Sequence, residues 1–158
     1  MKRLASVLCF VLIVFTAAEI RASDSAAISF EGAYLLIQDD GFQRMISLDR
    51  GGIVTQVSDQ EALIGFTNGR GVWEQTGPNT VTARVIDFSY DLKDGKPIGP
   101  ALATYTLNFS EPAAGKFNKV SGSYAGEQFE RGQNPMDSTK KPIRRYGIAF
   151  NGERIRFK

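Results

Sequence analysis

A chain of 158 residues with 19 Lys and Arg against 17 Asp and Glu has room for one domain, and its charge balance does not mark it for an anionic polymer. It contains no histidine and a single cysteine. The missing histidine excludes Ser-His-Asp and Cys-His catalysis, histidine-ligated zinc and histidine-ligated haem.

The first element in chain order is an export signal. Lys2 and Arg3 form a short basic start, and Leu4 to Ala18 then run for 15 residues without a charge before Glu19 and Arg21. That is the length of a secretory h-region and short of the roughly 20 apolar residues a spanning helix needs. Cleavage fits after Ala18 or after Ala22, so residues 1–22 are expected to leave, and residues 23–29 to form a flexible N-terminus before a domain over 30–158. Cys9 leaves with the signal, which removes every thiol nucleophile, thiolate ligand and disulfide from the mature chain. Three basic residues and one acidic residue leave with it, so 16 of each sign remain. The acids concentrate in Asp24 to Glu111 and the bases in Lys116 to Lys158. If strands from both halves intermix, these fields largely cancel.

Beyond Phe30, apolar residues alternate with a period of two between Gly, Pro, Asn and Asp clusters, which predicts an all-β chain. The expected strands are Gly32 to Ile37, Phe42 to Leu48, Ile53 to Val57, Val72 to Gln75, Val81 to Tyr90, Ala101 to Phe109, Lys119 to Phe129, Ile143 to Phe150 and Arg154 to Phe157. Asp39-Asp40-Gly41, Asp49-Arg50-Gly51-Gly52, Asn68-Gly69, Gly77-Pro78-Asn79, Asp94-Gly95 and Asn151-Gly152 read as the turns, because Gly and Asn accept the positive φ of tight hairpins. Ser58-Asp59-Gln60-Glu61 has capping-box spacing and predicts one or two helical turns near 58–64. Between Val85 and Ile86 the apolar phase slips, predicting a β-bulge that bends the strand and helps a sheet close. Short turns between consecutive strands favour an antiparallel up-and-down barrel of about eight strands, with a β-sandwich as the alternative.

The stretch Phe30-Glu31-Gly32-Ala33-Tyr34 resembles the G-x-W start of calycins, the lipocalin and allene-oxide-cyclase type of barrel, with Tyr34 in the tryptophan's place. Gly71-Val72-Trp73-Glu74-Gln75-Thr76-Gly77, leading into a long strand, is similar to a pattern of secreted bacterial barrel proteins with no assigned activity. The resemblance implies a calycin-type barrel in which the Tyr34 ring packs on an arginine of the final strand, Arg154 or Arg156.

With histidine and cysteine gone, acid-base chemistry would fall to carboxylates, tyrosines or lysines. Asp87 stands out in the apolar run Val85-Ile86-Asp87-Phe88: turned inward its carboxyl would hold its proton more tightly, while beside a bulge it would face solvent. Glu74, next to Trp73, falls on the opposite face and reads as exposed. Arg84 precedes the phase slip and is either a rim residue or an inward group for a ligand carboxylate. Tyr34, Trp73, Phe88, Tyr105 and Tyr124 lie on different strands, where inward aromatics fill a core or line a pocket. The candidate ligand-binding residues are therefore Tyr34, Trp73, Arg84, Asp87, Phe88, Tyr105 and Tyr124. No catalytic set, metal ligand or cofactor motif is expected; Asp91-Leu92-Lys93-Asp94-Gly95 lacks calcium-loop oxygen spacing and reads as a turn.

Together these features lead us to expect a secreted or periplasmic, non-enzymatic barrel that binds a small, largely apolar molecule, without nucleic acid or, after cleavage, membrane as partner. Two alternatives stay open. One is a cyclase or isomerase type of enzyme using carboxylate and tyrosine groups. The other is a protein-binding or inhibitor module presenting the loops Ser58 to Arg70 and Gly132 to Pro142, which an exposed apolar patch at Leu63, Ile64 and Phe66 would favour.

Overall fold

The computed structural model describes residues 28–156; the expected signal segment and residues 23–27 lie outside them. The alternation of the sequence becomes eight strands: β1 (Gly32–Gln38), β2 (Gln43–Leu48), β3 (Ile53–Ser58), β4 (Gly69–Gly77), β5 (Thr80–Tyr90), β6 (Pro97–Ala113), β7 (Lys116–Gln128) and β8 (Arg144–Arg154). Each pairs antiparallel with the next, and β1 also pairs with β8, so the sheet closes into an up-and-down barrel. Closure satisfies both edges that an open sheet would leave unpaired.

One helical turn, α1 (Glu61–Ile64), interrupts the meander between β3 and β4. The capping box is half made: the Glu61 carboxylate accepts the Ser58 N–H at 2.9 Å, while the Ser58 hydroxyl accepts from Gln60 rather than from the N3 position. Gly65, at φ +75°, ends the turn; a Cβ there would stand 2.2 Å from the Tyr90 carbonyl oxygen.

Two local expectations are corrected. Asn151-Gly152 is not a turn but part of β8, where Asn151 opposes Ile37 and Gly152 opposes Leu36; of the expected last strand only Arg154 belongs to β8, Ile155 and Arg156 follow outside it, and Phe157 lies outside the described residues. Glycine is required there by crowding, since a Cβ on Gly152 would stand 2.5 Å from the Leu35 carbonyl oxygen. Nor does β5 slip phase at Val85-Ile86. Its register with β4 and β6 is unbroken there, and the irregularities fall at Gln75/Gly77 and Ser89/Tyr90. Val81, Ala83, Val85 and Asp87 all point inward, whereas Ile86 and Phe88 are apolar residues on the outer wall.

The barrel's two ends differ in chemistry. At the end bearing the β2–β3, β4–β5 and β6–β7 hairpins, Phe30 enters as a plug, its ring 5.0 Å from that of Phe109 and 5.1 Å from that of Phe117. Trp73 closes the same end edge-on to Phe30 and donates its indole N–H to the Asp49 carbonyl at 3.0 Å. Tyr34 is fully buried beside Phe109 and donates its hydroxyl to the Phe30 carbonyl at 3.0 Å. Burial pushes that hydroxyl's pKa up to about 12, against the pull of Arg154. Arg154 is Tyr34's cross-strand partner, and the bare Cα of Gly32 leaves it room; Arg156 is exposed. Above this aromatic floor, Leu36, Ile46, Val54, Val81, Val85, Leu107 and Phe150 fill the middle of the barrel.

Candidate functional site at the polar end of the barrel

At the opposite end, the inward positions of several strands turn polar together. Gln38 follows Tyr34 and Leu36 on β1, Arg44 precedes Ile46 and Leu48 on β2, and Gln56 and Ser58 follow Val54 on β3. Asp87 follows Val85 on β5, while Tyr105 and Tyr124 come from β6 and β7, directly opposed in the register. All are buried. Period-two alternation puts them in one space, because each occupies the core-facing phase of its strand.

Arg44 is the hub. Its Nη1 donates to the Tyr105 hydroxyl at 2.9 Å, and its Nη2 to the Tyr124 hydroxyl at 3.3 Å and to Gln60 Oε1 at 3.2 Å. The Tyr105 hydroxyl in turn donates to Gln56 Oε1, and that of Tyr124 to Gln38 Oε1. Two relays thus run outward from one cation with the same polarity, guanidinium to phenol to amide oxygen. The guanidinium also lies over the Tyr124 ring, 4.7 Å from its centroid, and 5.8 Å from that of Phe66.

The relays end on open donors. Gln38 Nε2, Gln56 Nε2 and Arg44 Nε are buried and have no hydrogen-bond partner among the described residues, as is also true of Arg154 Nε and Gln133 Oε1 elsewhere, an arrangement that costs about 1–3 kcal/mol per neutral group when nothing satisfies it. Asp87, 4% exposed, forms no hydrogen bond or ion pair with any described residue. Burial pushes its carboxyl up to about 7; Arg44 pulls it down and Glu61 adds to the rise. Burial works against the charge on Arg44, yet Tyr105, Tyr124 and Asp87 together hold its pKa above the ordinary value. Desolvation also raises Tyr105, Tyr124 and Tyr146, so the phenols stay protonated and able to donate.

The connection between β3 and β4 covers this end. Phe66 is buried over Arg44 and bridges to Ser89, Gln60 reaches in to the guanidinium, and the backbone is tied down by Tyr90 N–H to Gly65 at 2.8 Å and Thr67 N–H to Phe88 at 3.1 Å. From β8, Tyr146 lies edge-on to Tyr124 in the space left by Gly126, its cross-strand partner, where a Cβ would stand 2.1 Å from the ring. At the same rim a cleft of about 390 Å³ runs along Phe88, Ser89, Pro97, Pro100 and Arg131, and the Ser89 hydroxyl on its wall donates to Gln128 at 2.6 Å. A second groove of about 800 Å³ crosses the outer wall over Leu35, Ile37, Lys119 and Glu153, and Gln38 of the polar cluster is part of its lining.

Of the seven residues singled out from the sequence, Asp87, Tyr105 and Tyr124 come together around Arg44. Tyr34 and Trp73 belong to the aromatic floor at the other end. Arg84 is exposed on the outer wall, correcting the expectation that it could enter the barrel, because the unbroken phase of β5 turns it away from Ala83 and Val85. Phe88, 60% exposed, lies on the outer wall for the same reason. Glu74 is exposed, as alternation with Trp73 requires. Arg44, Gln38, Gln56 and Gln60 carry the network and were not among the candidates; the available signal was a polar residue in the apolar phase at corresponding ends of β1, β2 and β3.

The protein is an all-β, closed eight-stranded antiparallel barrel, floored by aromatics at one end and holding a buried, donor-rich polar cluster at the other. This architecture is compatible with a calycin-like fold. Comparison with family models, curated proteins and solved structures finds no match for the chain.

Proposed function

We propose that this chain is an exported, non-enzymatic, calycin-like barrel that binds a small, largely apolar molecule at its polar end. The observation that carries this reading is the set of three orphaned, buried donors on Arg44, Gln38 and Gln56. Groups of this kind are desolvated at a cost that a bound partner offsets, and a few placed polar groups within an apolar surround are the usual composition of a small-molecule site. The middle of the barrel is filled by side chains, so the ligand's polar head would enter under Phe66 while its apolar part lies toward the rim; the 390 Å³ cleft at that rim is of ligand size and is lined by Phe88, Ser89 and Arg131 rather than by the three donors. Native mass spectrometry of protein purified from its own host tests the reading. The expected result is a co-purifying mass of a few hundred daltons, and consistently empty spectra count against it.

The burial of Asp87 supports a second reading, an acid-base enzyme of the cyclase or isomerase type. A carboxyl titrating near 7 beside two phenols has the proton affinity such chemistry needs. If the co-purified molecule leaves chemically altered by wild-type protein and unaltered by Asp87→Asn, the enzyme reading replaces the binding one. The inhibitor-module reading loses part of its basis, because Phe66 is packed against Arg44 and only Leu63 and Ile64 of the expected patch are exposed.

A further inference from the structure

Resting on the binding reading above, we propose that the ligand's head group is a carboxylate, received by Arg44, Gln38 and Gln56 with Asp87 as a second acid beside it. The unused valences are unequal in kind. At the polar end, among the described residues, three buried atoms are open donors and the Asp87 carboxyl is the acid without a partner; the other two unpartnered buried atoms, Arg154 Nε and Gln133 Oε1, lie at the aromatic floor and in the outer loop, away from Arg44. A water molecule accepts two hydrogen bonds but brings two donors of its own that need acceptors, whereas a carboxylate brings about four acceptor positions and no donor. A neutral hydroxyl head falls between the two and leaves donors unpaired.

Charge argues the same way. Arg44 is buried without an ion pair among the described residues, and the groups facing its site are Asp87 from β5, Tyr105 from β6, Tyr124 from β7, Tyr146 and Arg144 from β8, Glu61 from α1 and Asp40 from the β1–β2 turn. When Asp87 is protonated, the interior carries one uncompensated positive charge, which a monoanion neutralises at least cost. The protonated carboxyl can then donate to the bound carboxylate, so that two acids share one proton as like charges in close contact must. With Asp87 titrating near 7, a carboxylate ligand is held more tightly below that pH than above it. Each carboxylate bound at higher pH draws one proton onto Asp87.

The test is calorimetric titration of the purified protein with decanoate and with decanol, each at pH 6.0 and pH 8.5, where decanoate stays ionised. At pH 6.0 decanoate is expected to bind at least ~10-fold more tightly than decanol, since a charge-assisted head-group contact is worth about that much or more. At pH 8.5 decanoate weakens by about 30-fold while decanol does not, as one linked proton on a group titrating near 7 requires. In Asp87→Asn, decanoate binds alike at both pH values, at the wild-type pH 6.0 strength. Gln56→Met, which keeps shape and removes one donor together with the acceptor of the Tyr105 hydroxyl, weakens decanoate and spares decanol. Circular dichroism confirms that each variant is folded; if one is not, the other variant and the wild-type pH comparison still decide. Decanol binding as tightly as decanoate at pH 6.0 overturns the carboxylate assignment and leaves the binding reading standing. Failure of both probes to bind overturns the two together.

Discussion

Asp87 and Arg44 share the polar end of the barrel without forming an ion pair, and that separation makes Asp87 a source of pH-dependent stability. Its carboxyl is raised chiefly by burial, from 3.8 to about 7, so between those values the folded chain holds a proton that the unfolded chain has released. The stabilisation is fully present below about pH 4 and is lost as pH rises through about 7. Urea denaturation should show it as a fall of roughly 1 kcal/mol per pH unit across that window. Asp87→Asn should flatten this dependence and be the more stable protein at pH 8; an unchanged slope would show that Asp87 titrates as an ordinary exposed acid. Asp87, Tyr105 and Tyr124 could be picked from the sequence because a carboxyl or phenol among apolar neighbours is conspicuous. Arg44, Gln38 and Gln56 escaped because a polar residue at a strand end resembles the start of a turn. Only the shared phase with Ile46, Leu36 and Val54 reveals that they point inward.

At the scale of the element, strands and turns were legible wherever one face of the sheet was clearly apolar. Where the outer wall is apolar too, alternation no longer marks the inner face. In β5, Ile86 and Phe88 mimic a core phase while Val81 to Asp87 keep the true one. In β8, Asn151-Gly152 has turn composition but serves a crowded crossing with β1. Close approach is sharpest at Gly71 on β4, where a Cβ would stand 1.7 Å from the Arg84 carbonyl oxygen. No side-chain rotation relieves a backbone clash, so Gly71→Ala must shift β4 against β5. It should lower the Tm by roughly 10 °C in a thermal melt, the scale of a few kcal/mol in a domain of this size. Gly41→Ala is the matched control for crowding, since Gly41 has nothing near its Cβ position. Its φ of +88° makes it a strained site for alanine, so equal losses in the two variants would show that conformation rather than contact decides.

For the whole molecule, the division into an aromatic floor and a polar end separates stability from binding. Trp73, the only tryptophan, is bound into the floor by Phe30 and Asp49. Its fluorescence should therefore follow global unfolding and stay nearly constant when decanoate binds; a large change on binding, with the fold intact, would place the ligand at the wrong end. Barrel architecture was legible from meander punctuation and strand count. The asymmetry of its ends was not, because it depends on which residues eight separate strands bring to the same level. The most direct test of the polar end as the binding site is a nuclear magnetic resonance titration with decanoate or decanol, following the Arg44 Nε–H and the Gln38 and Gln56 side-chain amide signals. These three are expected to shift together at saturation while the Trp73 indole N–H holds still. Shifts confined to Trp73 or to the outer groove at Leu35 and Ile37, with Arg44 unmoved, would contradict that placement.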